Sequence, residues 1–223
     1  MTDKGTDKGK KPRGLGKRAW LTTHAVRRLA RFLAFIKVVD ITVVNRGAVP
    51  KKGPVIVACN HISYTDPVFL WGALRRRAIA IGMAELWTMP VVGRLVKLLG
   101  HIPVVRGDAL SGADAVERAT AVVSRGGVLI IFPEGKIVGR GETAPYRPGA
   151  ARIALATGAP IVPAGIVGSN DVMPLKRDRP GKKTFYRDRK VVLVFGHPIQ
   201  PEPGMTEDDL IDLVRLRISE LTA

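Results

Sequence analysis

Short apolar runs alternate along this chain with segments whose apolar positions recur every three or four residues, and that alternation predicts strands and helices in turn. Asp40 to Arg46 and Pro54 to Asn60 are rich in Val and Ile and are separated by the turn-like Pro50-Lys51-Lys52-Gly53, so both read as strands. The spacing then predicts a helix from Pro67 to Arg77, with Asp66 as N-cap and Pro67 in its first position. A strand at Ala78 to Met83 follows, then a helix from Val91 to Leu99 stopped by Gly100 and a short strand at Ile102 to Val105. A helix from Ala113 to Ser124 ends at Gly126-Gly127, before the strongly apolar strand Val128 to Phe132. Pro148 to Thr157, with Gly158 behind it, reads as a helix, and Ile161 to Ile166 and Val191 to Phe195 as the last strands. The closing helix runs from Thr206 to Leu221, where Thr206 caps and Glu207, Asp208 and Asp209 suit the positive end of the helix dipole. Such an order predicts an α/β domain with a mostly parallel or mixed central sheet flanked by helices.

The N-terminal part has a different pattern. Wound at about 100° per residue, Leu21, Ala25, Leu29, Phe32, Leu33, Phe35, Ile36 and Val39 share one broad face, with Arg27 and Arg31 opposite and His24 and Arg28 towards the flank. Residues 19–39 are therefore expected to form a basic amphipathic helix. It can pack on the domain core or lie in a membrane interface, and the Lys-rich tail of residues 1–18, expected to be flexible, favours the interface.

Charge sharpens that picture. The 223 residues carry 36 Lys and Arg against 19 Asp and Glu, a net of +17, which is more than solubility needs and points to a polyanionic partner. Residues 1–18 hold +5 of it and residues 176–190 hold +6. Aromatic residues make up only 5% of the chain and no helix-turn-helix or zinc pattern occurs, so an anionic membrane surface is expected as the partner and nucleic acid is not. A hydrophobic content of 46% excludes a disordered chain, and Cys59, the single cysteine, allows no intrachain bridge and fits a reducing compartment. No charge-free stretch reaches the roughly 18 residues of a spanning helix, and Met1 to Arg18 lacks the apolar region of a signal peptide. No metal-ligand spacing is found, and no metal or cofactor is expected.

In a sheet of this type chemistry gathers where strands end and loops turn towards helices. The first such loop, Asn60-His61-Ile62-Ser63-Tyr64-Thr65-Asp66-Pro67, pairs a histidine with a carboxylate five positions on. On one continuous helix these side chains would point about 140° apart, so they can meet only if His61 lies on the turn and Asp66 opens the helix. A histidine held that way can act as general base on a hydroxyl while the carboxylate fixes its tautomer. The plainer alternatives are a helix-capping Asp66 and a loop His61 bonded to a backbone carbonyl. No G-x-S-x-G elbow or phosphate-binding P-loop is present, and Cys59 reads as a small buried strand residue rather than a nucleophile.

Three further blocks follow in order: Gly100-His101-Ile102-Pro103-Val104-Val105-Arg106, Phe132-Pro133-Glu134-Gly135, and Ile161-Val162-Pro163-Ala164-Gly165-Ile166. Together with Asn60-His61 and Asp66-Pro67 they resemble the glycerolphosphate acyltransferase superfamily, in particular the bacterial 1-acylglycerol-3-phosphate acyltransferases, over about residues 40 to 200. The resemblance implies that residues 40–223 form an acyltransferase domain. It implies that His61 and Asp66 activate an acceptor hydroxyl for attack on an acyl thioester, with no acyl-enzyme. By the same carry-over, Arg106 and the Glu134-Gly135 loop hold the acceptor's phosphate, with Asn60 also among the substrate contacts. Since a carboxylate does not bind phosphate directly, Glu134 is expected to orient Arg106 or a neighbouring base.

This chain departs from the family where Phe-Pro-Glu-Gly usually continues with Thr-Arg-Ser, for it has Lys136-Ile137-Val138. Lys136, Arg140 or Arg147 can supply the missing cation, and Met83 stands where a lysine is common. The expected reaction moves a fatty acyl group from acyl-CoA or acyl carrier protein to 1-acylglycerol-3-phosphate, at the cytoplasmic face of the cell membrane, by a peripheral or monotopic protein. Another lysolipid, a glycolipid or glycerol phosphate is the alternative acceptor. A non-catalytic protein that binds anionic lipid or nucleic acid is the alternative from another class.

Overall fold

The computed structural model describes residues 39–175 and 185–223. The expected tail and amphipathic helix lie outside the described residues except for Val39, and of the basic segment 176–190 only residues 185–190 are described.

Seven strands form one sheet: β1 (Val39–Val44), β2 (Val55–Cys59), β3 (Ala78–Met83), β4 (Ile102–Val104), β5 (Val128–Ile131), β6 (Ile161–Val167) and β7 (Arg189–Phe195). Their order across the sheet is β1-β7-β6-β2-β5-β3-β4. The five strands from β6 to β4 are mutually parallel. β7 runs antiparallel to β6, and β1 lies parallel to β7 at the edge. The expected mixed, mostly parallel sheet is therefore what forms. β2 is buried along its whole length because helices cover both faces, which is why its sequence shows no polar alternation.

Among the described residues six α-helices flank the sheet: α1 (Asp66–Ala73), α2 (Val92–Leu99), α3 (Ala109–Ser124), α4 (Gly149–Thr157), α5 (Ser169–Val172) and α6 (Glu207–Thr222). Ile56, Ala58, Leu129 and Ile131 face one core layer, where α3, α4 and α6 contribute Ala119, Ile153, Ala154, Leu210 and Val214. Val55, Val57, Cys59 and Ile130 face the other layer, closed by Leu70 and Ala73 of α1. Among the described residues no helix is long and apolar enough to cross a membrane.

The boundaries differ from expectation for identifiable reasons. α1 stops at Ala73 instead of Arg77, because the arginines behind it staple neighbouring loops: Arg76 donates to the carbonyls of Pro50 and Gly126 at 3.1 and 2.7 Å, and Arg77 to that of Leu99. α3 begins four residues before the expected Ala113, since Asp108 accepts the N–H groups of Leu110 and Ser111 and so caps an earlier turn. The capping box at Thr206 and Asp209 that opens α6 falls where the sequence places that helix. The 3₁₀ turn at Ala84–Thr88 and the short α5 are additions.

Where the β2–β6 ladder ends, at Cys59 opposite Ala164, the side chain of Asn60 carries it on. Its amide donates to the carbonyl of Ile166 at 2.9 Å, and the N–H of Ile166 donates back to its oxygen at 2.7 Å. Asn60→Ala would leave both groups of the fully buried Ile166 without these partners, at a cost of about 2 kcal/mol, which equilibrium denaturation would measure. An unchanged midpoint would show that the clamp adds nothing to stability.

Candidate active site

All five parallel strands end at one edge of the sheet, and the loops leaving β2 and β5, neighbours at its centre, meet there. His61 follows β2 by two residues, and Asp66 is the first residue of α1. Nδ1 of His61 lies 2.8 Å from Oδ2 of Asp66. The same oxygen accepts the N–H groups of Ile62 and Ser63, each at 2.8 Å. An oxygen already accepting two backbone donors also accepts from Nδ1–H, which leaves the lone pair of His61 on Nε2. Asp66 is fully buried, whereas the His61 side chain is 13% exposed, so the dyad opens outward only through the imidazole.

One expectation is corrected. Asp66 does not cap α1: Thr65 holds the N-cap position, and Asp66 turns back on the loop that precedes it. Ser63 secures that loop from the other side, its hydroxyl lying 3.0 Å from the hydroxyl of Thr65 and donating to the carbonyl of Met173 at 3.0 Å.

The loop from Phe132 to Val138 grips His61 at three points. The Phe132 ring stacks on the imidazole, centroids 4.1 Å apart. Oε1 of Glu134 accepts the backbone N–H of His61 at 3.3 Å, and the N–H of Val138 donates to the carbonyl of His61 at 2.7 Å. Of the two partners expected for Glu134, it takes the base, and through the main chain of His61 rather than its ring. Burial raises the Glu134 carboxyl above its usual range, against the opposing pull of its own N–H and that of His61.

Gly135 adopts a left-handed conformation, with φ at 64°, and the Arg147 side chain lies directly over it. A Cβ at Gly135 would come within 2.8 Å of Nε of Arg147. The N–H of Arg147 donates to the carbonyl of Pro133 at 2.8 Å, which fastens the arginine to the turn. Of the three cations that could replace the family's arginine, Arg147 is thus the one packed on the glycine. Lys136 is exposed beside it, and Arg140 is held by Asp171 at 2.8 Å. Arg106 is exposed just beyond β4, at the same edge but three strand spacings from β2, about 14 Å of sheet. It makes no hydrogen bond or ion pair among the described residues, so Glu134 does not orient it. Asn60, expected among the substrate contacts, spends both ends of its amide on Ile166.

Two other groups are set apart by burial. Cys59 is fully buried, and desolvation first, then Asp66 and Glu134, push its thiol well up, so it offers no thiolate. His101 is held neutral with its pKa lowered to about 3, by burial and then by Arg77. Its Nδ1 accepts the N–H of Ala80 at 2.9 Å, and its ring stacks on Trp71. Among the described residues no three His, Cys, Asp or Glu side chains converge as a metal site would need. Sequence reasoning assigned no part to Phe132, Ile62, Ser63 or Val138. Ile62 and Val138 act through backbone N–H groups, as Ser63 does towards Asp66, and every residue but proline has such a group, so no side-chain signal marks those contacts. The assembled geometry can take a proton at Nε2 of His61 and hold an anion near Gly135 and Arg147.

Residues 40–167 match the sequence profile of the family described as Acyltransferase. The chain is 31% identical over 186 residues to a probable 1-acyl-sn-glycerol-3-phosphate acyltransferase of Mycoplasma pneumoniae, covering 79% of this chain and 68% of that protein. It is 29% identical over 203 residues to the 1-acyl-sn-glycerol-3-phosphate acyltransferase of Borreliella burgdorferi, covering 90% and 77%. A chloroplastic 1-acyl-sn-glycerol-3-phosphate acyltransferase of Brassica napus is 29% identical over 167 residues, and there the chain spans only 46% of the relative's length. The crystal structure of the LPA acyltransferase PlsC from Thermotoga maritima shares the fold, with a TM-score of 0.76 at 23% identity over 94% of this chain and 81% of that one. With the profile matched over more than half of its length, and the Mycoplasma relative covered over more than two thirds of its own, the chain belongs to the Acyltransferase family.

Proposed function

We propose that this protein transfers a fatty acyl group from acyl-CoA or acyl carrier protein to the free hydroxyl of 1-acylglycerol-3-phosphate, giving phosphatidic acid for phospholipid synthesis. The observation that carries the reading is the His61–Asp66 pair, 2.8 Å apart, with Nε2 of His61 left free beside the Gly135 turn. The names of the relatives support the acceptor. Nε2 takes the hydroxyl proton as the acceptor oxygen forms its bond to the thioester carbonyl, and Asp66 stabilises the resulting imidazolium. The carbon–sulfur bond then breaks, and the imidazolium returns the proton to the departing thiolate. Arg147, with Lys136, binds the acceptor's phosphate, since a planar guanidinium matches phosphate oxygens two at a time. Arg106 meets a more distant part of the substrate at the same edge. The protein works at the cytoplasmic face of the membrane as a peripheral protein attracted by anionic lipid. Acyl transfer by purified protein across a panel of lysophosphatidate, other lysolipids, glycolipid and glycerol phosphate, with each donor, tests the acceptor; preference for an uncharged acceptor would overturn the phosphate reading.

His61→Ala should lower turnover about 10²–10⁴-fold with the fold retained, as seen by an unchanged circular dichroism spectrum. Asp66→Asn keeps an oxygen for the Ile62 and Ser63 N–H groups but loses the charge that supports the imidazolium, so its rate should fall about 10²-fold or more while it stays folded. A folded Asp66→Asn protein of normal rate would remove the carboxylate from the mechanism.

Arg147→Lys keeps the charge and loses the fork. The acceptor KM should rise roughly tenfold with the thioester KM little changed, and Arg106→Lys should have the smaller effect. Steady-state kinetics with each substrate varied in turn separates these outcomes.

Because burial raises the folded-state pKa of Glu134 above the ordinary 4.5, the folded chain holds a proton there over a range in which the unfolded chain has lost it. Its contribution to stability therefore falls as pH rises from the ordinary value through the raised one. Glu134→Gln keeps an acceptor for the N–H of His61 and removes the buried charge. It should melt higher than the parent near about pH 8 and together with it near about pH 4. A variant that melts lower at both would mean that the ionised carboxylate is stabilising.

A further inference from the structure

Phe132 reaches His61 by the ordinary alternation of two parallel strands. Val55, Val57 and Cys59 of β2, and Val128 and Ile130 of β5, point to the core layer closed by α1. The next positions of the same parity are His61 and Phe132. The register sets Ala58 against Ile131, so one step further Phe132 falls level with Cys59 and its ring leans on the histidine two residues along. The two ring centroids are 4.1 Å apart and the planes 23° from parallel.

The other bonds to this histidine serve other parts of it. Asp66 takes Nδ1, Glu134 the backbone N–H and Val138 the carbonyl, and none of them touches the face of the ring. Face-to-face stacking is the less favoured arrangement for two neutral rings, because both faces carry the negative part of the quadrupole. A cation held over the same face within about 6 Å is attracted instead. The contact thus favours the protonated imidazole over the neutral one, and an interaction that strengthens as the proton arrives is the kind that accelerates a reaction.

His101 shows that stacking alone does not charge a histidine. Its ring lies 4.3 Å from that of Trp71 with the planes 29° apart, yet burial and then Arg77 lower its pKa to about 3. Its Nδ1 accepts the N–H of Ala80, whereas Nδ1 of His61 meets a carboxylate and the His61 side chain keeps an outward opening.

We infer that Phe132 is a positioning residue of the reaction, its π face stabilising the imidazolium that forms when Nε2 of His61 takes the proton of the acceptor hydroxyl. In this role Phe132 acts through His61. The inference deepens the acyl-transfer reading and rests on it for the proton that His61 takes. The titratable and charged groups around the imidazole are Asp66 from α1, Glu134 from the loop after β5 and the buried thiol of Cys59 from β2, with Lys136 and Arg147 exposed at the Gly135 turn. A change confined to the electrons of the Phe132 ring leaves all of these in place.

The test puts 3,5-difluorophenylalanine, and then pentafluorophenylalanine, in place of Phe132 in the full chain, because fluorine draws negative charge off the face with little change of shape. The imidazole of His61 is titrated by NMR in each protein, its resonance identified by its loss in His61→Ala. Acyl transfer to a short-chain soluble lysophosphatidate is followed across pH alongside. Relative to the parent, the titration midpoint should fall by about half a pH unit with two fluorines and about one with five. The acidic limb of the kcat/KM profile should move down with it, and turnover on the plateau should fall progressively, about three- to tenfold with five. Pentafluorophenylalanine in place of Phe69, which packs on the same core layer from α1, should change neither. Midpoints that stay with the parent overturn the inference, as does turnover that stays level while the midpoint falls, or a Phe69 control that moves as far. Absence of acyl transfer in the parent would instead defeat the acyl-transfer reading, while the titration still decides whether the Phe132 face favours the imidazolium.

Discussion

Oxygen Oδ2 of Asp66 accepts from Nδ1 of His61 and from the amides of Ile62 and Ser63, each at 2.8 Å, and so ties the imidazole and the turn beneath it into one unit. Three donors on one fully buried oxygen leave the loop little freedom, because each bond restricts a different atom of the same short segment. The pairing also couples the chemistry to the fold. Asp66 can reach back to His61 only as the residue that opens α1, and α1 is held in place by Leu70 and Ala73 against the core.

The sheet supplies the second constraint. β2 and β5 are buried neighbours at its centre, so their C-terminal loops have almost no room to move independently. The loop from Phe132 to Val138 uses this proximity to hold His61 by its ring, its N–H and its carbonyl. Glu134 thereby belongs to the support of the base, and the turn at Gly135, covered by Arg147, to the anion side. In the proposed reaction the two parts of that block, positioning of the base and binding of phosphate, are separated by a single peptide unit. Where the family has a Thr-Arg-Ser continuation, this chain has Val138 giving its N–H to His61 and Arg147 folding back over the glycine from twelve residues on. Arg147 thus brings a guanidinium to the turn through space, from outside the Phe132-Pro133-Glu134-Gly135 block.

The distribution of charge and apolar surface has the same polarity as the chemistry. The described body is close to balanced, with twenty Lys and Arg against sixteen Asp and Glu, and most of the excess positive charge lies in two segments joined to the edge where the strands end. That edge also carries the exposed apolar openings of α1, α2 and α3. Catalytic geometry, basic charge and exposed apolar surface converge there because parallel strands send all their outgoing loops the same way.

The sequence by itself determined the α/β class and the order of strands and helices along the chain, and it offered the pairing of His61 with Asp66 beside the plainer readings of a cap and a loop histidine. Each of these is local: periodicity reports which face is buried, and a spacing of five with Pro67 behind it fits a turn running into a helix. Three things were decided only by tertiary structure. Asp66 is a clamp on its own preceding loop rather than a cap, because the donors it meets are main-chain groups that carry no sequence signature. Asn60 extends a strand pairing with a partner 106 residues away, and Arg147 rather than Lys136 or Arg140 covers Gly135, through contacts that exist only once β2, β5 and β6 lie side by side. Strand order follows the same logic, since the sheet order β1-β7-β6-β2-β5-β3-β4 depends on which apolar faces find each other in the collapsed chain and not on any single segment.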